Sequence, residues 1–311
     1  MPIDPQIKAM FQDVVIRPTR EVPIEEMREI VRGAAKMLPP STARLKSIQD
    51  STVPGPAGDI PVRVYTPEGQ APFPVVLFFH SGGWVIGDLD SEDGIARSLA
   101  DKANAIVVSV DYRLAPEHPF PAPNDDAYAA TKWVALHAAE LNGDPTRIAV
   151  AGTSAGGVLA VATALRARDE GDPPLVGWVN VYGSCDYPSI ETGSHREWAD
   201  GIVLLADDVD YYYDIYIGGD VALRDHPYVS PARTNDLSDL VPGLICTAEC
   251  DPSRDHAEAF GRRLLEAGID ATTKRYPGMI HGFLNWSEFL PGGAEAMTDI
   301  GEWLKRRFAD A

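Results

Sequence analysis

Two kinds of residue are scarce in this sequence of 311 residues: cysteine and basic side chains. Three cysteines (Cys185, Cys246 and Cys250) are too few for a disulfide framework, which predicts a reducing compartment such as the cytoplasm. Lysine and arginine number 27 against 46 aspartates and glutamates, so the formal net charge is −19. This excess of negative charge disfavours nucleic acids and anionic membrane surfaces as partners.

Long apolar runs and cofactor motifs are also missing. The longest apolar run, near Phe73–Phe79, is far shorter than the roughly 20 residues that cross a bilayer. Residues 1–5 contain no basic region leading into an apolar core, so we expect no secretory signal. No cysteine or histidine pair has zinc-binding spacing and no Gly-x-Gly-x-x-Gly follows a strand. We therefore expect neither a metal nor a nucleotide cofactor.

What the chain does contain is a strand-to-helix turn built around a serine. The sequence GTSAGG occupies residues 152–157, between the apolar segment 147–151 and the alanine-rich segment 158–165. Glycines on both sides of Ser154 allow a sharp turn that lifts the hydroxyl above the sheet edge. The amide of Ala155 then points toward the place where an oxyanion would form. Alone, the motif is equally compatible with a glycine-rich turn that carries an incidental serine.

Three further motifs supply partners for this serine, and each directly follows a predicted strand. They are HSGGW at residues 80–84, Asp251 in DPSRD and His281 in GMIHGF. Serine, then aspartate, then histidine is the chain order of α/β-hydrolase triads. A serine hydroxyl needs a base to take its proton, and His281 is the candidate. Asp251 is the candidate acid that would fix the tautomer of the imidazole.

Taken together, these motifs resemble those of the bacterial hormone-sensitive-lipase-like esterases, in the subgroup with GTSAG in place of GDSAG. The resemblance extends from about Arg63 to the C-terminus and includes DYRLAPEHPFPA at residues 111–122. It implies an α/β-hydrolase fold, with a mostly parallel central sheet flanked by helices and a helical cap. It also implies that the amides of Gly82, Gly83 and Ala155 form an oxyanion hole.

Two positions depart from the family pattern. Ser81 replaces the first glycine of HGGG, which affects the conformation of the loop more than the two glycine amides that follow. Thr153 replaces the aspartate before the serine, so we expect no charged side chain at this position of the turn. We expect both departures to alter the support of the site and to leave its chemistry intact. His80 is expected to brace the loop and not to act as a second base.

Apolar segments predict the organisation of the chain. From residue 60 onward, strand patterns alternate with helical patterns, as in a parallel sheet covered on both faces, and Ile60–Tyr65 alternates like an antiparallel edge strand. Helical patterns are predicted at Ile24–Met37, Asp126–Leu141 and Arg254–Ala267, the last closed by Gly268. Residues 1–45 and 184–226 interrupt the alternation. The family resemblance implies that these two stretches form the cap, and that residues 46–183 and 227–311 form the hydrolase core.

The identity of the acid stays open at this point. Glu249 lies two residues before Asp251, so in an extended segment it faces the same side and has the reach to contact the same histidine. Asp255 and Glu258 are predicted to lie on a helix, facing solvent or an arginine. Asp251 is the preferred acid and Glu249 the alternative.

The sequence predicts a serine carboxylesterase that hydrolyses short- to medium-chain esters of small molecules through an acyl-enzyme. Trp84 and Trp198 are candidate walls of the substrate pocket, although core packing explains Trp84 equally well. The same triad would serve a lactonase or an amidase. A non-catalytic small-molecule-binding protein, like the gibberellin receptors of this superfamily, is disfavoured because such proteins lack the base histidine. Family members are often dimers, so the resemblance also suggests a homodimer.

Overall fold

The computed structural model describes residues 2–14, 17–187 and 192–311 of the chain. Within these residues, eight strands form one sheet. The strands are β1 (Leu45–Gly55), β2 (Gly58–Pro67), β3 (Phe73–Phe79), β4 (Ile106–Val110), β5 (Gly143–Thr153), β6 (Gly177–Val181), β7 (Gly243–Cys250) and β8 (Ala271–Ile280). Strands β3, β4 and β6 are buried along their whole length, as expected for strands covered on both faces.

The strand order is β1-β2-β4-β3-β5-β6-β7-β8. The pairs β1–β2 and β2–β4 are antiparallel, and every later pair in this order is parallel. The carboxyl ends of β3, β5, β7 and β8 therefore meet at one edge of the sheet. Each of the four sequence motifs follows one of these strands, so the topology brings them together.

Helices cover both faces of the sheet and extend above one edge. Within the described residues they are α1 (Pro5–Phe11), α2 (Ile24–Met37), α3 (Asp93–Ala103), α4 (Ala122–His137), α5 (Ala155–Glu170), α6 (Gly193–Glu197), α7 (Ala206–Tyr216), α8 (Arg254–Glu266) and α9 (Pro291–Ala309). Helices α4, α5 and α8 contribute to one apolar cluster, and α3 and α9 contribute to the cluster on the other face. This arrangement confirms the predicted α/β-hydrolase fold.

One strand prediction is wrong in its position. Segment Ile60–Tyr65 is antiparallel as expected, but β2 lies between β1 and β4 and is not an edge strand. The outermost strand is β1, which the sequence pattern did not reveal. Val53 is the only buried residue in its eleven, so β1 lacks the apolar alternation that marks a strand.

Helix predictions are confirmed with small shifts at the ends. Helix α2 has the predicted bounds Ile24–Met37. Helix α4 begins at Ala122, four residues before the predicted Asp126, because Pro123 is accommodated in the first turn. Its C-terminal continuation to Leu141 is a short 3₁₀ helix. Helix α8 is followed by Gly268 in the left-handed region, as a C-terminal glycine predicts.

The two stretches that interrupt the alternation lie next to each other in the fold. The amide of Thr19 donates to Asp208 Oδ1 at the start of α7 (2.8 Å), and this contact joins the N-terminal stretch to the later one. Helix α2 is attached to the hydrolase core through Arg28. Its guanidinium donates to the carbonyl oxygens of Val85 and Ala115 and to both carboxylate oxygens of Glu117.

Candidate active site

The nucleophile candidate lies on a sharp turn between β5 and α5. Ser154 has φ 51° and ψ −119°, a backbone conformation that is costly for a residue with a side chain. Its amide donates to Val181 O (2.7 Å), which fixes the turn to the neighbouring strand. A Cβ atom at Gly156 would lie 1.9 Å from Phe79 O, so the turn packs directly on the end of β3. Such close packing requires glycine at this position.

Three side chains predicted to act together do form one hydrogen-bonded chain. His281 Nδ1 donates to Asp251 Oδ2 (2.7 Å), since a carboxylate only accepts. That assignment leaves Nε2 as an acceptor, and Ser154 Oγ donates to it (2.8 Å). Asp251 Oδ1 accepts from the amide of Ser253 (2.8 Å), which holds the carboxylate in place. Asp251 is 1% exposed, so this charge acts with little screening by solvent.

Glu249, the alternative acid, contacts a different group. Its Oε2 accepts from the amide of Gly278 (2.7 Å) in β8. The structure thus places Asp251, and not Glu249, against the imidazole of His281. The two other nearby carboxylates lie on α8 as predicted and pair with arginines, Asp255 with Arg254 and Glu258 with Arg275.

A glycine loop faces the serine from the end of β3. Gly82 has φ +114°, and a Cβ there would lie 2.0 Å from Ile86 O, so this loop conformation requires glycine. Among the described residues, none accepts a hydrogen bond from the amides of Gly82 or Gly83. Ala155 is the first residue of α5, where an amide has no intrahelical acceptor. The three amides predicted for the oxyanion hole are therefore all available to a ligand.

His80 supports the base of this loop. The residue is fully buried, its Nδ1 donates to Ser81 O (2.7 Å), and its ring stacks on Tyr112 at 4.3 Å. Tyr112 in turn donates its hydroxyl to His80 O (2.8 Å). Burial lowers the pKa of His80 to about 4, so the ring is neutral near pH 7. This placement matches the predicted bracing role.

The two departures from the family pattern meet at a buried glutamate. Glu92 Oε2 accepts from Thr153 Oγ1 (2.5 Å) and from the amide of Ser81 (3.3 Å). Burial raises the pKa of Glu92, and the hydrogen bonds from Ser81 and Thr153 oppose that shift. Sequence motifs gave no indication of this residue, which lies in the segment SEDG just before α3.

A cavity of about 630 Å³ opens above Ser154 and His281. One part of its wall comes from the core. The rest comes from the N-terminal stretch, which includes Phe11 and α2, from residues 202–204, from α7 and from the segment after β8. Apolar side chains of α2 line it, among them Met27, Ile30, Val31, Ala34 and Ala35. The volume falls within the range of roughly 300–1,000 Å³ that is usual for small-molecule sites.

The two tryptophans predicted for the pocket are placed differently. Trp84 lines the cavity, and its ring also packs against Tyr213 and Tyr216. Trp198 is not among the lining residues; it packs, partly buried, against the apolar cluster on the α3 and α9 face. Its position does not support the pocket prediction, because its ring is occupied by core contacts. Tyr212, from α7, lines the cavity as well.

The described part of the chain holds neither a candidate metal site nor a candidate membrane span. Within residues 2–14, 17–187 and 192–311 there is no group of three or more His, Cys, Asp or Glu side chains that could hold a metal ion. Over the same residues, no helix has the length and apolar character needed to cross a bilayer.

Comparisons with known proteins show the family to which the chain belongs. A model of the protein family described as alpha/beta hydrolase fold matches residues 76–285. The chain belongs to this α/β-hydrolase family. It is 42% identical over 300 residues to carboxylesterase NlhH of Mycobacterium tuberculosis, covering 94% of this chain and 92% of that protein. It is 34% identical over 294 residues to an arylesterase of Saccharolobus solfataricus (91% and 93% covered).

A solved structure gives the same result in three dimensions. The fold superimposes on a hyperthermophilic esterase from the archaeon Pyrobaculum calidifontis with a TM-score of 0.92 at 37% identity. The match covers 98% of this chain and 99% of that one. The similarity includes the N-terminal stretch, which lies outside the residues matched by the family model.

Proposed function

We propose that the protein is a serine carboxylesterase that hydrolyses esters of small carboxylic acids. The observation that carries this proposal is the hydrogen-bonded chain from Ser154 through His281 to Asp251, opening into an apolar cavity beside available backbone amides. The similarity to proteins named carboxylesterase and arylesterase supports the same reaction class.

Acylation begins with attack of Ser154 Oγ on the ester carbonyl carbon. His281 Nε2 takes the hydroxyl proton, and Asp251 stabilises the resulting imidazolium. The carbonyl oxygen becomes an oxyanion, which accepts hydrogen bonds from the amides of Gly82, Gly83 and Ala155. His281 then returns the proton to the departing alcohol oxygen as its bond to carbon breaks, which leaves the acyl group on Ser154.

Deacylation repeats these steps with water. His281 takes a proton from the water as its oxygen attacks the acyl carbon, and the oxyanion again lies in the hole formed by the three amides. Collapse of this intermediate expels Ser154 Oγ, which recovers the proton from His281. The products are the carboxylic acid and free enzyme.

The confined cavity favours short to medium acyl chains. Each added methylene contributes only about 0.8 kcal/mol of binding when buried, and a steric clash easily exceeds this gain. Its walls include bulky groups such as Trp84 and Tyr212. We expect soluble esters of about two to eight acyl carbons to be hydrolysed faster than long-chain triglyceride emulsions.

A panel of p-nitrophenyl esters, amides and lactones tests the proposal directly. Esters should be the fastest substrates, and Ser154→Ala should abolish their hydrolysis. Faster turnover of amides or lactones would assign a different bond to the same site. Esterase activity that persists in the purified Ser154→Ala variant would contradict the proposed nucleophile.

Some predictions about the whole molecule belong with this proposal. Residues 1–45 and 184–226 act as the cap, and residues 46–183 and 227–311 as the core. A cytoplasmic location is supported by the three cysteines, which are buried and unpaired. Fractionation of cells tests the location, and analytical ultracentrifugation tests the expected homodimer.

A further inference from the structure

Glu92 occupies a position between the two halves of the oxyanion hole. One half is the glycine loop, whose residue Ser81 donates its amide to Glu92 Oε2. The other half is the turn before α5, whose residue Thr153 donates its hydroxyl to the same oxygen. Ser81 directly precedes Gly82, and Thr153 directly precedes Ser154. The glutamate is 4% exposed and lines the cavity.

We propose that Glu92 is a positioning residue for ester hydrolysis. It holds the glycine loop against the turn that carries Ser154, and it thereby sets the position of the Gly82 and Gly83 amides relative to the Ala155 amide and the serine oxygen. This inference rests on the proposed esterase function, because the distance it controls matters only when an oxyanion forms.

The glycine loop needs such an attachment. An oxyanion hole works only when its donors lie about 2.7–3.1 Å from the developing charge, and a misplacement of about 1 Å can cost about 10²-fold in rate. Gly82 and Gly83 both have positive φ (+114° and +60°), and glycine has the widest conformational freedom. Bonds to a buried carboxyl group at the preceding residue restrict that freedom.

The geometry also defines which substitutions of Glu92 preserve its hydrogen bonds to Ser81 and Thr153. Both donors converge on Oε2, whereas Oε1 is buried and has no hydrogen-bond partner among the described residues. If Glu92 is neutral, its proton therefore lies on Oε1, and Oε2 still accepts both bonds. Glutamine can supply the same acceptor through its carbonyl oxygen. Leucine has similar bulk and no acceptor.

The neutral Thr153 side chain suits the carboxyl group of Glu92, because it donates a hydrogen bond and adds no negative charge. An aspartate at position 153 would bring a second carboxylate to the oxygen that now accepts the Thr153 hydroxyl, and two buried like charges repel strongly. Thr153→Asp should therefore impair the enzyme. Glu92→Gln should restore much of that loss in the double variant, because the glutamine amide can donate to the new carboxylate.

Steady-state kinetics on p-nitrophenyl butyrate test the proposal. Glu92→Leu should lower kcat by about 10²-fold with KM changed less than about threefold, since the bridge acts on the transition state and not on bound substrate. Glu92→Gln should retain kcat within about threefold. A trifluoromethyl ketone, which forms a tetrahedral adduct with the serine, should bind to Glu92→Leu more weakly in proportion to kcat.

Matched controls separate positioning from general loss of a hydrogen bond. Thr247 in β7 donates its hydroxyl to Glu258 in α8 (3.0 Å), and neither residue lines the cavity. Thr247→Val removes this threonine–glutamate hydrogen bond and should leave kcat unchanged. Thr153→Val should lower kcat about tenfold. The double variant Glu92→Leu/Thr153→Val should be no worse than Glu92→Leu, because both changes break one link.

Three results would overturn the inference: normal kcat in Glu92→Leu, equal impairment of Glu92→Gln and Glu92→Leu, or an effect confined to KM. If Glu92→Leu does not fold, Glu92→Asp replaces it. The shorter side chain cannot reach both donors, so kcat should fall about tenfold with unchanged KM, and wild-type kcat would again contradict the proposal. If Ser154→Ala is inactive and the Glu92 variants keep wild-type kcat, the role of Glu92 is rejected and the esterase function stands. If Ser154→Ala is active, the esterase mechanism itself is rejected.

Discussion

Helices α5 and α2 both border the cavity and are similar in length, yet they are held in opposite ways. Twelve of the 16 residues of α5 are buried, whereas none of the 14 residues of α2 is. Helix α5 is therefore fixed by close packing on all sides, and it carries the turn of Ser154. Helix α2 presents its apolar side to a cavity and exposes the rest of its surface.

This difference in burial suits the two helices to different roles, α5 to holding the catalytic serine and α2 to lining the cavity. Close packing makes α5 rigid, which suits groups that must be placed within a fraction of an ångström. Helix α2 is held by the polar bonds of Arg28 and by packing of part of its apolar side against the small cluster of Val85, Ile86 and Ala115, and the rest of that side faces the cavity. We expect changes in the core to affect stability and kcat, and changes in α2 to affect KM. Four predictions follow this division, from the largest expected effect to the smallest.

Removal of the serine hydroxyl should have the largest effect. Ser154→Ala should lower kcat by about 10⁶-fold, since serine, histidine and oxyanion donors act as a unit. The fold should be unchanged, because alanine adds no atoms to the turn. A phosphonate that reacts with active serines should label Ser154 in the wild-type protein, as read by peptide mass spectrometry. Labelling at any other serine would reject the assignment.

The acid should be the next most sensitive position. Asp251→Asn keeps the shape but loses the charge that orients His281, and the corresponding loss elsewhere costs about 10⁴-fold in kcat. Glu249→Gln is the matched control and should cost about tenfold at most, because Glu249 bonds to the Gly278 amide. Kinetics of both variants decide the matter. If Glu249→Gln lowered kcat far more than Asp251→Asn, Glu249 and not Asp251 would be the acid of the triad.

Stability should distinguish the two helices. Leu165 of α5 is fully buried, so Leu165→Ala should lower the free energy of unfolding by about 2–5 kcal/mol. Ile30 of α2 is 47% exposed, and Ile30→Ala should lower it by less than about 1 kcal/mol. Urea unfolding measures both. Equal losses in the two variants would mean that α2 is packed as firmly as α5.

Loosening of α2 should have the smallest effect, seen chiefly in KM. Arg28→Ala removes charge-assisted bonds worth about 1.5–3 kcal/mol each at most, and we expect KM to rise about tenfold with kcat changed less than twofold. Arg28→Lys should recover only part of this, because lysine lacks the planar fork that binds both oxygens of Glu117.

Arg32→Ala is the matched control for Arg28→Ala. Arg32 also joins α2 to the core, through Asp88, but its side chain is 51% exposed, and such pairs contribute little. The Arg28 guanidinium lowers the pKa of Glu117 to about 2, so this carboxylate stays ionised at pH 5. The KM difference between wild type and Arg28→Ala should thus be the same at pH 5 and pH 7. Its disappearance at pH 5 would show that Glu117 is protonated there, which would contradict the lowered pKa; the absence of any KM difference at pH 7 would show that the pair does not hold α2.

Local sequence predicted much of the fold and the candidate site. The turn around Ser154, the loop at Gly82 and the position of His281 are all fixed by glycine and by an apolar strand just before them, and both signals are local. Asp251 could be ranked above Glu249 but not separated from it. That choice depends on the Gly278 amide, which comes from a different strand.

The features that the sequence did not predict depend on contacts between distant segments. Strand β1 is mostly exposed and polar, so it has no apolar period. Glu92 becomes important only because β3, β5 and the start of α3 converge on it. The attachment of α2 joins Arg28 to Glu117, 89 positions further along the chain, and no local pattern encodes such a pairing.

The exposed placement of α2 has a consequence for how the chain is made. Residues 24–37 leave the ribosome before Val85, Ile86 and Ala115, the cluster against which their apolar side packs, so that surface is absent when the helix emerges. Helix α2 is made early and can dock only after residues 85–117, which supply its apolar and polar contacts, have been synthesised. Until then its apolar side is exposed on the nascent chain, where chaperones and other incomplete chains can bind to it.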